Sequence, residues 1–302
     1  MFSGSIVAIV TPFKNGKIDE ATYKKLIEFQ IKNGTSGIVP CGTTGESPTL
    51  SHEEHKRVIE LCVETVKGRV PVIAGTGSNA TAEAIELTKH AAKAGATGAL
   101  IVSPYYNKPT QEGLYRHFKA IAKEVNIPII LYNIAGRTGV NIEPVTMARL
   151  AADCKNIVGV KEASGSLEQM QVIKNLCPKD FLMISGDDAL TLPLLSIGGV
   201  GVISVAANIV PKDIARVIEL FNKGQLKEAQ SLHLKLLPLI KALFLETNPI
   251  PVKEAMGMLG LCSPDLRLPL CPMSEANHAK LRDALKVYGL LNNSKSEKTA
   301  LV

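Results

Sequence analysis

Short apolar runs alternate with longer mixed segments along the first 224 residues of the chain. The runs are IVAIVTP (6–12), GIVP (37–40), VPVIAG (70–75), GALIVSPYY (98–106), PIILYN (128–133), IVGVKEA (157–163), FLMISGDD (181–188) and GVISVAA (201–207). They are rich in β-branched residues and apolar at successive positions, as strands buried on both faces are. Between them, segments such as DEATYKKLIEFQIKNG carry apolar residues at three- and four-residue spacing, the helical period. SHEEHKRVIELCVETVK opens with Ser51 and Glu54 at capping-box spacing. This alternation predicts a parallel sheet covered by helices, and eight units predict closure into a (β/α)₈ TIM barrel. A doubly wound open sheet is the alternative, and it fits eight repeats less well.

From residue 225 the pattern is helical only, in QLKEAQSLHLKLLPLIKALFLE, IPVKEAMGMLG and EANHAKLRDALKVYG. The expectation is a catalytic barrel over 1–224 and a C-terminal helical region over 225–302, packed on the barrel or on a neighbouring subunit. Residues 292–302, the end of LNNSKSEKTALV, have the composition of a frayed tail.

One strand breaks its own pattern. In NIVGVKEASG (156–165), Lys161 follows Ile157, Val158, Gly159 and Val160 without a polar break. A charged amine there costs several kcal/mol unless it is paired or loses its proton.

Composition narrows the classes of function. The chain is 46% hydrophobic and 21% charged, and no apolar stretch approaches a membrane span. The start, MFSGSIVAIVTPFKNGKIDE, has no basic leader, and its apolar run ends at Pro12. Six cysteines are scattered without a CxxC pair, which predicts free thiols in a reducing compartment, the cytoplasm by default. The net charge of +6 is spread over lysines interleaved with glutamates, only 4% of residues are aromatic, and tryptophan is absent. That argues against a nucleic-acid surface and suits small anionic substrates.

In a barrel of this type the active site lies at the carboxyl ends of the strands. Those ends carry CGTTGE (41–46), PYYN (104–107), YNIAGRTG (132–139), Lys161 and SGDD (185–188). Hydroxyls dominate (Thr43, Thr44, Tyr105, Tyr106, Tyr132), with one lysine and one arginine, Arg137. The six histidines all fall in helical segments, Asp187–Asp188 is the only acidic strand-end pair, and SVAANIVPKD has no glycines to cradle a phosphate. The expected substrate is therefore neither metal-bound nor phosphorylated.

A lysine desolvated in an apolar strand tends towards the free amine, which condenses with carbonyls to a Schiff base. Tyrosine and threonine hydroxyls can relay protons, and Arg137 offers a planar fork for a carboxylate. The combination suggests carbon–carbon bond chemistry on a keto acid. Structural alternatives exist for each residue: Lys161 could pair with Glu162 or Asp187, the tyrosines could be rim aromatics, and Thr43–Thr44 could cap a helix. Their convergence on one mouth favours the site.

GTTGE, YNIAGRTG and GVKEASG at these separations resemble the dihydrodipicolinate synthase and N-acetylneuraminate lyase family of Schiff-base barrel enzymes. The likeness runs from GSIVAIVTP to NPIPVK, and the arginine of RTG with the double threonine is similar to the synthase branch. Ala135 and Gly136 depart from the family's more usual proline-containing turn. The resemblance implies that Lys161 condenses with pyruvate, and that the enamine attacks L-aspartate 4-semialdehyde in lysine and diaminopimelate biosynthesis, with no cofactor or metal. It implies a proton shuttle at Tyr132, linked through Thr43 to Tyr106 of a neighbouring subunit. The assembly is then at least a dimer and in this family usually a homotetramer, a dimer of dimers. Thr44, Gly186 and Ile203 match the pyruvate pocket, and Arg137 the semialdehyde carboxylate. Ser47, His52, His55, Asn79, Glu83 and Tyr105 match positions that bind the feedback inhibitor L-lysine in sensitive members, with Pro48 replacing the residue of some of them.

Two other readings stay open. A Schiff-base lyase for a 2-keto-3-deoxy sugar acid would have less use for Arg137. A non-catalytic barrel that senses a small amino acid would have no use for an activated amine.

Overall fold

The computed structural model describes residues 2–292, so all but the first residue of the tail expected at 292–302 lies outside the described residues. All eight predicted strands form: β1 (Gly4–Ala8), β2 (Gly37–Val39), β3 (Ile73–Gly75), β4 (Gly98–Val102), β5 (Ile129–Asn133), β6 (Ile157–Glu162), β7 (Leu182–Ser185) and β8 (Gly201–Ser204). They pair in parallel in the order β2-β1-β8-β7-β6-β5-β4-β3. A bridge between Ile38 and Val72 and the bond from Gly75 N–H to Pro40 O (2.9 Å) join β2 to β3 and close the barrel. An open sheet is thereby excluded. A two-residue hairpin, Phe13–Lys14 with Lys17–Ile18, follows β1.

Several strands stop before their apolar runs do, at Ala8, Val102, Ser185 and Ser204. One more ladder bond follows at Ile9 (to Val39 O, 3.2 Å), Ser103 (to Tyr132 O, 3.0 Å) and Gly186 (to Glu162 O, 2.8 Å), and past that point Val10 and Val205 stay buried in the core shared with the helices. Apolar runs report burial, and burial continues where hydrogen-bond ladders end.

The outer layer is α1 (Glu20–Lys32), α2 (His52–Val66), α3 (Thr81–Ala94), α4 (Gln111–Glu124), a single turn α5 (Ala135–Thr138), α6 (Pro144–Asp153), α7 (Leu167–Leu176), α8 (Thr191–Ser196) and α9 (Pro211–Asn222). The capping box at Ser51 and Glu54 is formed in full. The C-terminal region is α10 (Leu226–Ala242), α11 (Ile250–Met258) and α12 (Glu275–Tyr288). Leu236, Leu239, Val252 and Leu281 join one continuous apolar core with Val217 and Ile218 of α9. These helices are welded to the barrel. Among the described residues no helix is long and apolar enough to cross a membrane.

Ile6, Ala8, Val39, Ile73, Leu100, Ile130, Tyr132, Ile184 and Ile203 fill the barrel interior, while Ile129, Leu131, Ile157, Val160 and Met183 face the helices. β6 does not alternate regularly between these two layers. Ile157 pairs with Ile129 on β5, but the next partner of Ile130 is Gly159, so Val158 is an extra residue. Such a bulge places two residues opposite one and reverses which face every later side chain takes. Ile157 faces the helices. Without the bulge Lys161, four residues on, would face them too; with it, Lys161 faces the interior beside Tyr132. Gly159 suits the bulge because a Cβ there would lie 2.5 Å from the Leu182 carbonyl oxygen.

Candidate active site

Lys161 is 6% exposed, and its Nζ sits 4.2 Å from the centre of the Tyr132 ring. The two residues are register partners across β5 and β6. Neither carboxylate that could have paired with the lysine does so. Glu162, one residue on, faces outward, where its carboxylate accepts bonds from Asn133 Nδ2 (3.0 Å), Gln169 Nε2 (3.2 Å) and the Ser164 N–H (2.7 Å). Asp187 accepts from the Ala189 N–H at the start of a short 3₁₀ turn. Among the described residues Lys161 belongs to no ion pair. Asp188, also at this strand end, is buried and bonded to the Ser204 hydroxyl and the Val205 and Ala206 N–H groups, and burial pushes its carboxyl up.

Gly186 belongs to the same pocket for a steric reason. A Cβ there would stand 2.6 Å from Ala163 Cβ and 3.1 Å from Lys161 Cε. Ile203, on β8, is buried in the interior cluster that also holds Tyr132.

The loop 41–46 after β2 delivers Thr43 and Thr44. Cys41 (φ 54°) and Glu46 (φ 53°) both take left-handed backbone, an uncommon state for residues with a side chain. Bonds from distant segments hold this shape. Thr11 Oγ1 donates to Gly45 O (2.7 Å). Lys253 Nζ donates to Glu46 Oε1 (2.6 Å) and to Thr11 O (3.1 Å), with both charged side chains fully buried. The Arg267 N–H donates to Glu46 Oε2 (3.1 Å). Burial pushes the Lys253 ammonium down, and Glu46 opposes it. Thr44 is buried, and its hydroxyl accepts from Asn248 Nδ2 at 3.0 Å. The Asn248 carbonyl in turn accepts from Arg137 Nη2 at 3.1 Å. Arg137 stands exposed on α5, the turn formed by Ala135 and Gly136, so this departure from a proline turn still presents the guanidinium at the mouth.

Tyr106 is not brought to this group. It is 89% exposed with φ 73°, a strained backbone for an aromatic residue.

Beside the mouth lies a cavity of about 330 Å³ whose wall includes Thr43 and Arg137 together with Ser47, His52, Glu83 and Tyr105. His55 also lines it. His52 Nε2 is 2.6 Å from Glu83 Oε1, and the Ser78 hydroxyl bonds the other oxygen of Glu83. His55 is buried with its Nδ1 unpartnered, and burial holds its imidazole down to about 4. Asn79 does not line the cavity: its Nδ2 donates to Tyr105 O (3.1 Å) and steadies that loop.

Sequence reasoning missed Asn248, Glu46 and Lys253. A signal existed for the last: a lysine set among apolar residues in IPVKEAM repeats the anomaly of Lys161.

Residues 1–288 match the sequence profile of the Dihydrodipicolinate synthetase family. The chain is 63% identical to the 4-hydroxy-tetrahydrodipicolinate synthase of Endomicrobium trichonymphae, over 96% of this chain and all of that one. Its fold is similar to the crystal structure of dihydrodipicolinate synthase from Aquifex aeolicus, with a TM-score of 0.94, 53% identity, and coverage of 96% and 99% of the two chains. The same TM-score, 0.94, relates it to the lysine-bound DHDPS of Cyanidioschyzon merolae, at 46% identity and with 96% and 99% of the chains covered.

Proposed function

The chain belongs to the dihydrodipicolinate synthetase family and works as a 4-hydroxy-tetrahydrodipicolinate synthase, condensing pyruvate with L-aspartate 4-semialdehyde; we propose that Lys161 is the amine that carries pyruvate. The observation that carries this assignment is the burial of Lys161 against Tyr132 with no carboxylate to hold its charge. With no carboxylate bonded to it, the amine is open to the carbonyl carbon of a substrate seated beside it.

In this reading the free amine of Lys161 adds to C2 of pyruvate, and the carbinolamine loses water to give the protonated imine. A methyl proton then leaves to form the enamine. Its carbon attacks the aldehyde of the semialdehyde, making the new carbon–carbon bond. The substrate's own amino group displaces Lys161 from C2, which closes the ring and frees the enzyme. Tyr132, over the amine, moves the protons at the imine, with Thr43 next in line. Thr44 binds the pyruvate carboxylate, Gly186 and Ile203 shape its pocket, and Arg137 receives the carboxylate of the semialdehyde.

Tyr106, exposed and strained in the single chain, fits a role completed across a subunit contact, with the relay of one protomer ending on the partner's tyrosine in a dimer or a dimer of dimers. The adjoining cavity suits L-lysine as a feedback inhibitor: Glu83 would take an ammonium, and His52 would have to yield it. The cytoplasm is the compartment these substrates and free thiols suit.

The test is borohydride reduction with pyruvate present, followed by peptide mass mapping. A reduced pyruvyl adduct on Lys161 is expected. An adduct elsewhere, or none on folded protein, removes the assignment. Activity titrated with millimolar lysine tests the inhibitor site, and a flat curve rejects it.

A further inference from the structure

Asn248 lies two residues before α11, far from the strand ends in sequence, yet it touches the groups assigned above to both substrates. Its Nδ2 donates to Thr44 Oγ1 at 3.0 Å, and its carbonyl accepts from Arg137 Nη2 at 3.1 Å. Both Asn248 and Thr44 are buried. The direction of the first bond is informative. A hydroxyl has one proton to give and two lone pairs to receive. Because Asn248 supplies the proton of this bond, one lone pair of Thr44 is occupied and the proton of Thr44 stays free to be donated elsewhere. The other amide atom of Asn248, Oδ1, is buried without a partner, so it does not draw that proton.

We propose that Asn248 is a positioning residue that sets the hydrogen-bond polarity of Thr44, turning its hydroxyl into a donor towards the pyruvate carboxylate. This rests on the assignment of Thr44 to pyruvate. The same residue ties the pyruvate side of the site to Arg137 through its main chain, so the C-terminal region helps fix the spacing of the two carboxylate-binding groups. Orienting a hydroxyl towards a carboxylate requires that its other bonds be filled by donors. An asparagine amide does this, and an aspartate in the same place does the opposite.

The prediction is counter to size. Asn248→Asp is nearly isosteric, but its carboxylate would accept the Thr44 proton and leave a lone pair facing the substrate. It should raise the pyruvate KM by more than Asn248→Ala does. Asn248→Ala, which only frees the hydroxyl, should raise it by about tenfold, within the range of a hydrogen bond to a charged group. Both should be measured again in a Thr44→Val background, as a double-mutant cycle, with thermal unfolding followed for every variant.

If the proposal holds, the Asn248 effects on pyruvate KM largely vanish once Thr44 has no hydroxyl. If Asn248→Asp raises KM equally in both backgrounds, simple charge repulsion explains it and the proposal falls. If Asn248→Asp and Asn248→Ala lower stability while leaving pyruvate KM unchanged, Asn248 is only a packing residue and the proposal also falls. Thr44→Val alone separates the role of Thr44 from that of Asn248. An unchanged pyruvate KM there would remove the role of Thr44 itself, whereas a raised KM without coupling to Asn248 would remove only the positioning role.

Discussion

Lys161 and Lys253 are both buried with their amines over an aromatic ring, 4.2 Å from Tyr132 in one case and 4.3 Å from Phe13 in the other. They differ in what else each amine meets. Lys253 has Glu46 at 2.6 Å and the Thr11 carbonyl at 3.1 Å. Lys161 belongs to no ion pair among the described residues, and its neighbour Glu162 is turned to the other side of the sheet. Burial alone is therefore not a mark of catalysis. A desolvated lysine with a carboxylate is a strut, here bracing the loop that carries Thr43 and Thr44. A buried lysine without one has its amine open to a substrate, the role proposed above for Lys161.

Replacement of Lys161 gives the largest effect. Lys161→Met should lower turnover by at least about 10³-fold, as loss of a nucleophile does, with no fall in the unfolding midpoint. A marked loss of stability instead would mean that the amine has a structural partner after all. Tyr132→Phe keeps the ring over the amine and removes only the hydroxyl. Its kcat should fall by about 10²–10⁴-fold, while borohydride trapping of pyruvate on Lys161 persists at a reduced rate.

Lys253 should behave in the opposite sense. Lys253→Met strands the buried Glu46 carboxylate and should destabilise the fold by about 3–5 kcal/mol in denaturant titration. Adding Glu46→Leu should restore most of that, because an apolar pair of similar volume replaces a buried ion pair at little loss. Failure of the second substitution to restore stability would assign the cost to the Arg267 N–H and the Thr11 carbonyl, which lose their partners in the double variant. Gly186→Ala sharpens the comparison from the side of shape: by pressing on Lys161 Cε it should lower kcat/KM by up to about 10²-fold, with a stability loss of about 1–3 kcal/mol.

At neutral pH the smallest effect is that of two buried histidines, and acid brings it out. Burial holds the imidazoles of His55 and His117 down to about 4. Between that value and the ordinary histidine pKa of about 6.5 the unfolded chain binds the extra protons, so stability falls as pH falls. It should be level above about pH 6.5 and lose up to roughly 3 kcal/mol per histidine on the way to pH 4. His117→Gln should flatten part of the curve, and an unchanged curve would show that other groups govern acid unfolding.

The strand count, the helices and the capping box were all legible because they depend on periodicity within one segment. Lys161, Tyr132 and the threonines were legible because a polar residue at the end of an apolar run is locally conspicuous. Asn248 was not. It is an ordinary asparagine before a proline, and its meaning lies in two bonds to residues more than 100 positions away. Glu46 was hidden differently, inside a quoted motif, because only the fold shows that Lys253 reaches it. The strand boundaries overshot because Val10 and Val205 stay buried in the core shared with the helices after the ladder has ended.

The extra residue in β6 also makes the chemistry of the mouth a matter of parity. Shortening the strand by Val158 would leave every other chemical group of the protein in place and its composition almost unchanged. It would nevertheless turn the sequence after it half a period out of phase, sending the amine of Lys161 into the helix layer and Glu162 into the chamber. A basic chamber would become an acidic one through a change in counting rather than in kind.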